Sequence, residues 1–253
     1  MNIGGLMKNK TLIAITTLDQ PSYTKQTLHS ISNVDKIDIE LWDDFSKEPN
    51  VLKKIGEMYG AKFIAKDKPR GLTDTWNRIY RRFRESNYDN CFIINNDIIT
   101  NPSAIREMIK ALKTHTLVVP LSSVNSVSGF LEQTTQKYGV PDIMANNPFQ
   151  VGSIQNSLLR LHKDNPYAKL PRFHGFFFAF NKKMVDQEFD EEHLFDPSCI
   201  NIGNEDELSK RLTIRPIVVK TAFVFHYKAI TLGGGYYSSG KVNDRNSLER
   251  YHQ

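Results

Sequence analysis

The chain has 253 residues, of which 40% are hydrophobic and 24% are charged, with a formal net charge of +5. This length and composition are typical of a soluble globular protein with one sizeable core. The chain has no apolar run near the roughly 20 residues of a membrane span, and its first residues lack the apolar segment of a secretory signal. We therefore expect a cytoplasmic protein without a transmembrane segment. The modest, dispersed positive charge does not predict nucleic-acid binding, and it leaves a peripheral membrane contact and the oligomeric state open.

Apolar strand candidates alternate with amphipathic helices over the first half of the chain. The strands are expected near 11–16, 38–43, 61–66, 91–95 and 116–120. Two intervening helices have apolar side chains at helical spacing, which are Trp76, Ile79, Tyr80 and Phe83 in the first and Ile105, Met108, Ile109 and Leu112 in the second. This alternation predicts an α/β fold with a mostly parallel central sheet flanked by helices.

The pattern is less regular beyond residue 121. Residues 122–170 are rich in Ser, Asn, Gln and Pro, which predicts long loops or short helices over a binding face. Order returns with an aromatic strand at 173–180, a short helix that begins near Asn204 and a strand at 217–225. The polar, glycine-rich residues from Gly233 onward are expected to form a flexible tail.

Polar side chains cluster where several predicted elements begin or end. In open α/β sheets, ligands bind at the carboxyl ends of the strands, so such side chains face a crevice. Each cluster also has a structural explanation, as a turn, a helix cap or an exposed histidine. The clusters are Asp43-Asp44 after the second strand, Asn95-Asn96-Asp97 after the fourth, Glu205-Asp206 at a helix start and His226 after the last strand.

As an ordered set, these clusters resemble the GT-A glycosyltransferases, particularly the inverting family 2 type that includes rhamnosyltransferase-like enzymes. The resemblance covers roughly residues 11–231 and lies in motifs. It implies one GT-A-like domain at 11–232, with a donor-binding half at about 11–121 and an acceptor-binding half at about 122–232, before a tail or lid at 233–253. The implied reaction moves a sugar from a nucleoside diphosphate, UDP first and dTDP next, to a hydroxyl of a glycan or glycoconjugate.

The resemblance also implies residues that bind the nucleotide. Thr16 is similar to the residue that cradles the nucleotide after the first strand, and Asp44 is similar to the Asp that accepts a hydrogen bond from the base. A carboxylate suits the imide N–H of uracil or thymine because it is only an acceptor. Asp43 is the alternate for this role. A plain turn of Asp and Ser also explains the pattern.

Arg70, Gly71 and Asn77 resemble the family segment that begins a helix near the donor. A helix N-terminus favours phosphate because its free N–H groups point outward, and Arg70 would add a charged fork. Alternatively, Gly71 only ends a loop and Asn77 is an ordinary polar helix residue.

Asn95-Asn96-Asp97 stands where the family has its Asp-x-Asp motif, and only Asp97 keeps a carboxylate. Asn95 and Asn96 are expected near the donor. The resemblance implies that Asp97 and His226 hold Mn²⁺ or Mg²⁺ together with the donor diphosphate, Mn²⁺ being the ion that accepts imidazole.

The family places its catalytic base in the Glu-Asp pair, so Asp206 is the expected base and Glu205 the alternate. Stabilisation of a helix N-terminus is the competing explanation. His174 and Gly175 resemble the glycine-aromatic strand that lines the sugar pocket.

The segment from Gly235 to Lys241 has the spacing of a phosphate-binding loop, but Val242 replaces the residue that binds Mg²⁺. We expect Lys241 or Arg245 to approach the donor diphosphate as part of a lid. Two rival functions stay open, which are a sugar nucleotidyltransferase and a non-catalytic domain that binds sugar nucleotides.

Overall fold

The computed structural model describes residues 10–188, 193–201 and 203–228. Lys241 and Arg245 therefore lie outside the described residues. The strands are β1 (Thr11–Thr17), β2 (Ile37–Asp43), β3 (Lys62–Ala65), β4 (Asn90–Asn95), β5 (Ile98–Thr100), β6 (Leu117–Leu121), β7 (Tyr167–Lys169), β8 (Phe177–Asn181) and β9 (Ile217–His226). The helices are α1 (Pro21–Ile31), α2 (Pro49–Met58), α3 (Leu72–Arg84), α4 (Pro102–Ala111), α5 (Asp142–Ala145), α6 (Val151–His162), α7 (Lys182–Glu188) and α8 (Asn204–Arg211).

The strands form one mixed sheet in the order β3-β2-β1-β4-β8-β6-β9-β5, and β7 pairs with β9. The predicted parallel pairing holds from β3 through β2 and β1 to β4. Beyond β4, however, β8 runs antiparallel to both of its neighbours, and β5 and β7 run antiparallel to β9. The α/β domain with a central sheet flanked by helices is confirmed, and its antiparallel part coincides with the less regular half of the sequence.

Helices cover both faces of the sheet, which explains the unbroken apolar runs of the central strands. All seven residues of β1 are buried. On one face, Trp76 of α3 packs its ring 5.6 Å from that of Phe178 and 4.9 Å from that of Phe195. On the other face, Met108 of α4 is fully buried. The apolar faces predicted for α3 and α4 are thus confirmed as core.

The region 122–170 contains a longer helix than the sequence predicts. Helix α6 has 12 residues, and the sheet side of this helix is buried through Ile154 and Leu158. The buried Gln155 amide donates to the Thr221 carbonyl at 2.6 Å and accepts from the Phe223 N–H at 2.9 Å. A glutamine on the buried face interrupts the apolar spacing, so the sequence pattern does not predict a helix of this length. The aromatic strand is shorter than the expected 173–180, because only Phe177–Asn181 pairs in the sheet.

The longest helix in the described ranges is α3, with 13 residues. A helix of that length extends about 20 Å, against the ~30 Å of a bilayer core. Among the described residues, no helix combines the length and the hydropathy that crossing a membrane requires.

Candidate active site

The carboxyl ends of β1, β2 and β4 meet at one edge of the sheet. In the strand register, Thr17 lies opposite Asp43, and Thr16 lies opposite both Trp42 and Asn95. This parallel register brings the polar clusters after β2 and β4 to the same edge, as the sequence predicts.

Asp97 and His226 come together through the pairing of β5 with β9. Ile98 lies opposite His226 in this antiparallel pair, and the Tyr227 N–H donates to the Asp97 carbonyl at 3.0 Å. As a result, His226 Nε2 lies 3.2 Å from Asp97 Oδ1, with both side chains more than nine-tenths buried. The ring of Phe176 stacks on the imidazole with centroids 4.4 Å apart, which fixes the plane of the imidazole.

The polar atoms of this pair fit a divalent cation. Asp97 Oδ1 is buried and makes no hydrogen bond to the described residues, although buried polar atoms are normally satisfied, and the imidazole nitrogen that faces it is His226 Nε2. Neighbouring ligands of an octahedral ion bound at 2.1 Å lie about 3 Å apart, close to the observed separation. The described part of the chain offers no group of three or more His, Cys, Asp or Glu side chains for a metal. Asp97 and His226 thus suit an ion whose remaining ligands come from a substrate or water.

The two asparagines before Asp97 have different surroundings. The Asn95 amide oxygen accepts from the Thr16 hydroxyl at 3.4 Å, at the open edge of the sheet. Asn96 is buried and donates to the hydroxyls of Thr17 at 3.0 Å and Thr24 at 2.9 Å. A carboxylate could not donate these bonds, which gives a physical reason for an amide at this position. Asn96 therefore joins the start of the β1–α1 connection to β4.

Asp44 lies in a buried network at the end of β2. Its carboxylate forms an ion pair with Lys66 and accepts from the Thr75 hydroxyl at 2.9 Å. The buried Lys66 ammonium also donates to the Gly71 carbonyl at 2.7 Å and lies 3.2 Å from Asp74. Lys66 thereby compensates the buried charge of Asp44 and connects β2 to the start of α3.

Asp43, the alternate for base recognition, has a different environment. Both of its carboxylate oxygens lie 3.2 Å from the Ser46 N–H, and the Ser46 hydroxyl also donates to it. Burial raises the pKa of Asp43, while the hydrogen bonds from Ser46 act to lower it. These contacts fix the turn after β2, and Asp43, like Asp44, is buried and bonded within the chain.

The N-terminus of α3 is covered by another part of the chain. The Leu72 N–H donates to the Asn201 side chain at 3.1 Å, and the Thr73 N–H donates to the Ile200 carbonyl at 3.0 Å. Gly71 has a φ of +85°, and a Cβ there would lie 2.4 Å from Ile200. The N–H groups that the sequence assigns to a phosphate are therefore used within the chain in this structure. Arg70 is exposed and pairs with Asp67 at 3.2 Å.

Asn77, predicted to lie near the donor, bonds to the backbone of Phe195. Its amide donates to the Phe195 carbonyl at 2.9 Å and accepts from the Phe195 N–H at 2.9 Å. The buried Asn204 amide also donates to the Thr73 hydroxyl, at 3.1 Å. Together these bonds hold residues 193–201 and the first residue of α8 against α3. Asn77 thus contributes to the placement of Glu205 and Asp206.

Glu205 and Asp206 lie next to each other in the chain but in different environments. Glu205 Oε1 accepts from the Gly175 N–H at 2.9 Å, and burial raises the pKa of Glu205. Gly175 is required for this packing, since a Cβ there would lie 2.5 Å from Glu205 Cγ. Asp206 is exposed, and its carboxylate contacts Arg172 at 3.0 Å. Asp206 is therefore the more exposed of the two carboxylates.

His174 lies near both Asp206 and His226, whose charges affect its pKa. Burial lowers the pKa of His174 to about 4, and the charge of Arg172 makes a smaller contribution in the same direction. The charge of Asp206 acts to raise this pKa, and that of His226 acts to lower it. The backbone N–H of His174 donates to the side-chain oxygen of Gln133 at 2.9 Å. The sequence reasoning did not identify Gln133 or Arg172, because neither stands in a recognisable motif.

A continuous set of contacts now joins the clusters. His226 stacks on Phe176, whose carbonyl accepts from the Asn95 N–H at 2.9 Å. The residue before Phe176 is Gly175, which binds Glu205 beside Asp206. Residues 174–176 therefore connect His226 with the start of α8, and the charges of both Asp206 and His226 affect the pKa of His174.

A family model described as glycosyl transferase family 2 matches residues 12–189. The chain belongs to glycosyl transferase family 2. The enzyme class expected from the sequence, a glycosyltransferase, is thereby confirmed. The matched range ends before Glu205, Asp206 and His226, so their roles depend on the geometry described above. No curated protein matches the chain in sequence.

Solved glycosyltransferase structures share the fold of this family 2 chain. GalNAc-T7 with UDP, GalNAc and Mn²⁺ is 16% identical with a TM-score of 0.61, covering 86% of this chain and 43% of that one. Residues 1–349 of S. aureus TarS are 11% identical with a TM-score of 0.56, covering 88% and 62%. TarS 1–349 with UDP-GlcNAc is 11% identical with a TM-score of 0.57, covering 90% and 61%. The chain thus spans about two fifths to three fifths of these structures.

The glycosyltransferase also has a cavity of about 360 Å³ at the opposite end of β2, away from the site. Its polar lining is internally bonded, since the Tyr88 hydroxyl donates to Asp38 at 2.7 Å and Arg82 pairs with Glu40 at 3.4 Å. None of the residues predicted for donor, metal or base lines this cavity.

Proposed function

We propose that this family 2 enzyme transfers a sugar from a nucleoside diphosphate, with UDP as the first choice and dTDP as the next, to a hydroxyl of a glycan or glycoconjugate. The transfer inverts the anomeric centre and uses Mn²⁺ or Mg²⁺. The observation that carries the proposal is the 3.2 Å approach of His226 to Asp97, near the carboxyl ends of the parallel strands β2 and β4. The rhamnosyltransferase-like subtype and the cytoplasmic location stay predictions.

The donor would bind in the half formed by residues 11–121, and the acceptor in residues 122–232. Asp44 would accept the imide N–H of the base, with Thr16, Asn95 and Arg70 close to the nucleotide. Support for a uridine nucleotide comes from two structures that share the fold, GalNAc-T7 with UDP and TarS 1–349 with UDP-GlcNAc. The backbone around the donor site would be held in place by the contacts described above for Gly71, Asn77 and Asn96.

Asp97 and His226 would hold the metal ion. The ion, when bound, would offset the negative charge of the departing diphosphate. A carboxylate oxygen and an imidazole nitrogen suit Mn²⁺, whereas Mg²⁺ prefers oxygen ligands alone. For this reason Mn²⁺ is the first choice.

Asp206 would act as the base. The acceptor oxygen attacks the anomeric carbon on the face opposite the diphosphate, the bond from carbon to the phosphate oxygen breaks, and the hydroxyl proton passes to the Asp206 carboxylate. Two observations favour Asp206 over Glu205. Asp206 is exposed, whereas Glu205 Oε1 is bonded to the Gly175 N–H at 2.9 Å. Glu205, Gly175 and His174 would then shape the sugar pocket.

Substitution of the base tests this proposal. Asp206→Asn should bind a nucleoside diphosphate sugar as well as the unaltered enzyme does, but its transfer rate should fall by several orders of magnitude. Asp164→Asn is the matched control, because Asp164 is an exposed acid after α6. Isothermal titration gives donor affinity, and release of nucleoside diphosphate gives turnover. Unchanged turnover in Asp206→Asn would overturn the assignment. An unaltered chain that binds donors without releasing nucleoside diphosphate would instead support the non-catalytic alternative.

A further inference from the structure

Phe45 has an unusual conformation for its position. Of the six residues 41–46 at the end of β2, five are buried, while Phe45 is 39% exposed. Its φ of +72° lies in the left-handed region, which bulky residues rarely adopt. A strained backbone and an exposed aromatic ring both count against folding, so this residue needs another explanation.

The residues on each side hold Phe45 in this conformation. The Asp44 N–H donates to the Thr17 carbonyl at 2.7 Å, and the Asp44 carboxylate is held by Lys66 and Thr75. On the other side, the Ser46 hydroxyl accepts from the Asp19 N–H at 2.6 Å. The surrounding bonds therefore fix the backbone on both sides of the exposed ring.

The position of the ring indicates what it would contact. Phe45 follows Asp44 directly, at the edge where the β1–α1 and β2–α2 connections meet. The residues of these two connections, 18–20 and 44–48, include one aromatic side chain, which is Phe45. A carboxylate can bind a planar base at the N–H on its edge, and an aromatic ring can bind the same base through its face.

We infer that Phe45 is the stacking platform for the nucleobase of the donor, beside the carboxylate of Asp44. This inference rests on the proposed function, because it assumes a nucleotide at this edge of the sheet. Stacking accepts any base, so Phe45 would supply affinity while Asp44 would select a base with an N–H at its edge. A nucleotide bound here would account for the retention of a strained aromatic residue.

Replacing Phe45 should have opposite effects on stability and on nucleotide binding. Phe45→Gly should leave the Tm of the full chain unchanged or raise it, because glycine accepts a positive φ without strain. The same substitution should weaken binding of UDP, in the presence of Mn²⁺, by about 10-fold, as expected for the loss of one stacked ring. Phe45→Tyr keeps the ring and should bind UDP within about 2-fold of the unaltered chain. Binding of pyrophosphate, which has no base, should be the same in all three proteins.

Lys36→Gly is the matched control. Lys36 is exposed and has a φ of +62°, but it precedes β2 at the opposite end of that strand. Lys36→Gly should change the Tm in the same direction as Phe45→Gly without changing UDP affinity. Equal UDP affinity in Phe45→Gly and Lys36→Gly, with the unaltered chain binding UDP, would overturn the inference and leave the proposed function standing. An unaltered chain that binds none of UDP, dTDP and GDP would overturn both.

Discussion

Gly175 should be intolerant of even one added methyl group. In Gly175→Ala, the new Cβ would lie 2.5 Å from Glu205 Cγ, so Glu205 must withdraw by about 0.9 Å to reach the 3.4 Å of ordinary contact. Glu205 is half-buried and bonded to the Gly175 N–H, so the movement strains packing and weakens that bond. Overpacking of this kind costs about 1–3 kcal/mol. For a chain of this size, the Tm should fall by roughly 2–12 °C.

The same shift should reduce catalysis, because Asp206 follows Glu205 in the first turn of α8. A displacement of about 1 Å at a catalytic group costs roughly 100-fold in rate. Thermal unfolding gives the stability, and steady-state release of nucleoside diphosphate gives kcat. Gly152→Ala is the control, since a Cβ at this α6 position meets nothing within 4 Å. It should keep full activity and gain about 0.5–1 kcal/mol. A Gly175→Ala enzyme with the Tm and kcat of the unaltered chain would refute the reasoning.

Three further predictions concern charge. The pKa of His174 is about 4 in the folded chain against 6.5 as its ordinary value. Between those pH values only the unfolded chain takes up the proton, so acidification from pH 6.5 to 4 should lower the free energy of unfolding by up to about 3 kcal/mol. Urea unfolding of His174→Asn should lack this part of the pH dependence. Lys66→Met removes the ammonium that pairs with the buried Asp44 carboxylate, so the free energy of unfolding measured in urea should fall by about 3–5 kcal/mol. The fall should be smaller in the Asp44→Asn, Lys66→Met double variant, which leaves no unpaired charge. Asp97→Asn should weaken Mn²⁺ binding by about 10-fold or more in isothermal titration, and equal Mn²⁺ affinity would contradict the role of Asp97 as a ligand.

The sequence predicts those parts of the fold that have a local pattern. Apolar spacing identifies α3 and α4, and the strand ends identify Asp97 and His226 as members of one edge. The three-residue strands β5 and β7 are too short to show an alternation of apolar and polar residues. Even so, the pairing of β5 with β9 is what brings Asp97 and His226 together.

Contacts made by distant residues could not be predicted. The packing of Glu205 against Gly175, the cover of the α3 N-terminus by Ile200 and the ion pair of Lys66 with Asp44 all depend on how connections cross the sheet edge. A glycine or an asparagine in such a place has the same appearance in sequence whether it contacts a ligand or another part of the chain.

Crystals grown with UDP and Mn²⁺ provide the most direct test of the central claim, that the clusters after β2, β4 and β9 form one nucleotide and metal site. Anomalous scattering from manganese should give a peak bonded to Asp97 and His226, with the uracil beside Asp44. A manganese peak and a nucleotide located elsewhere, for example in the cavity lined by Glu40 and Arg82, would contradict the account.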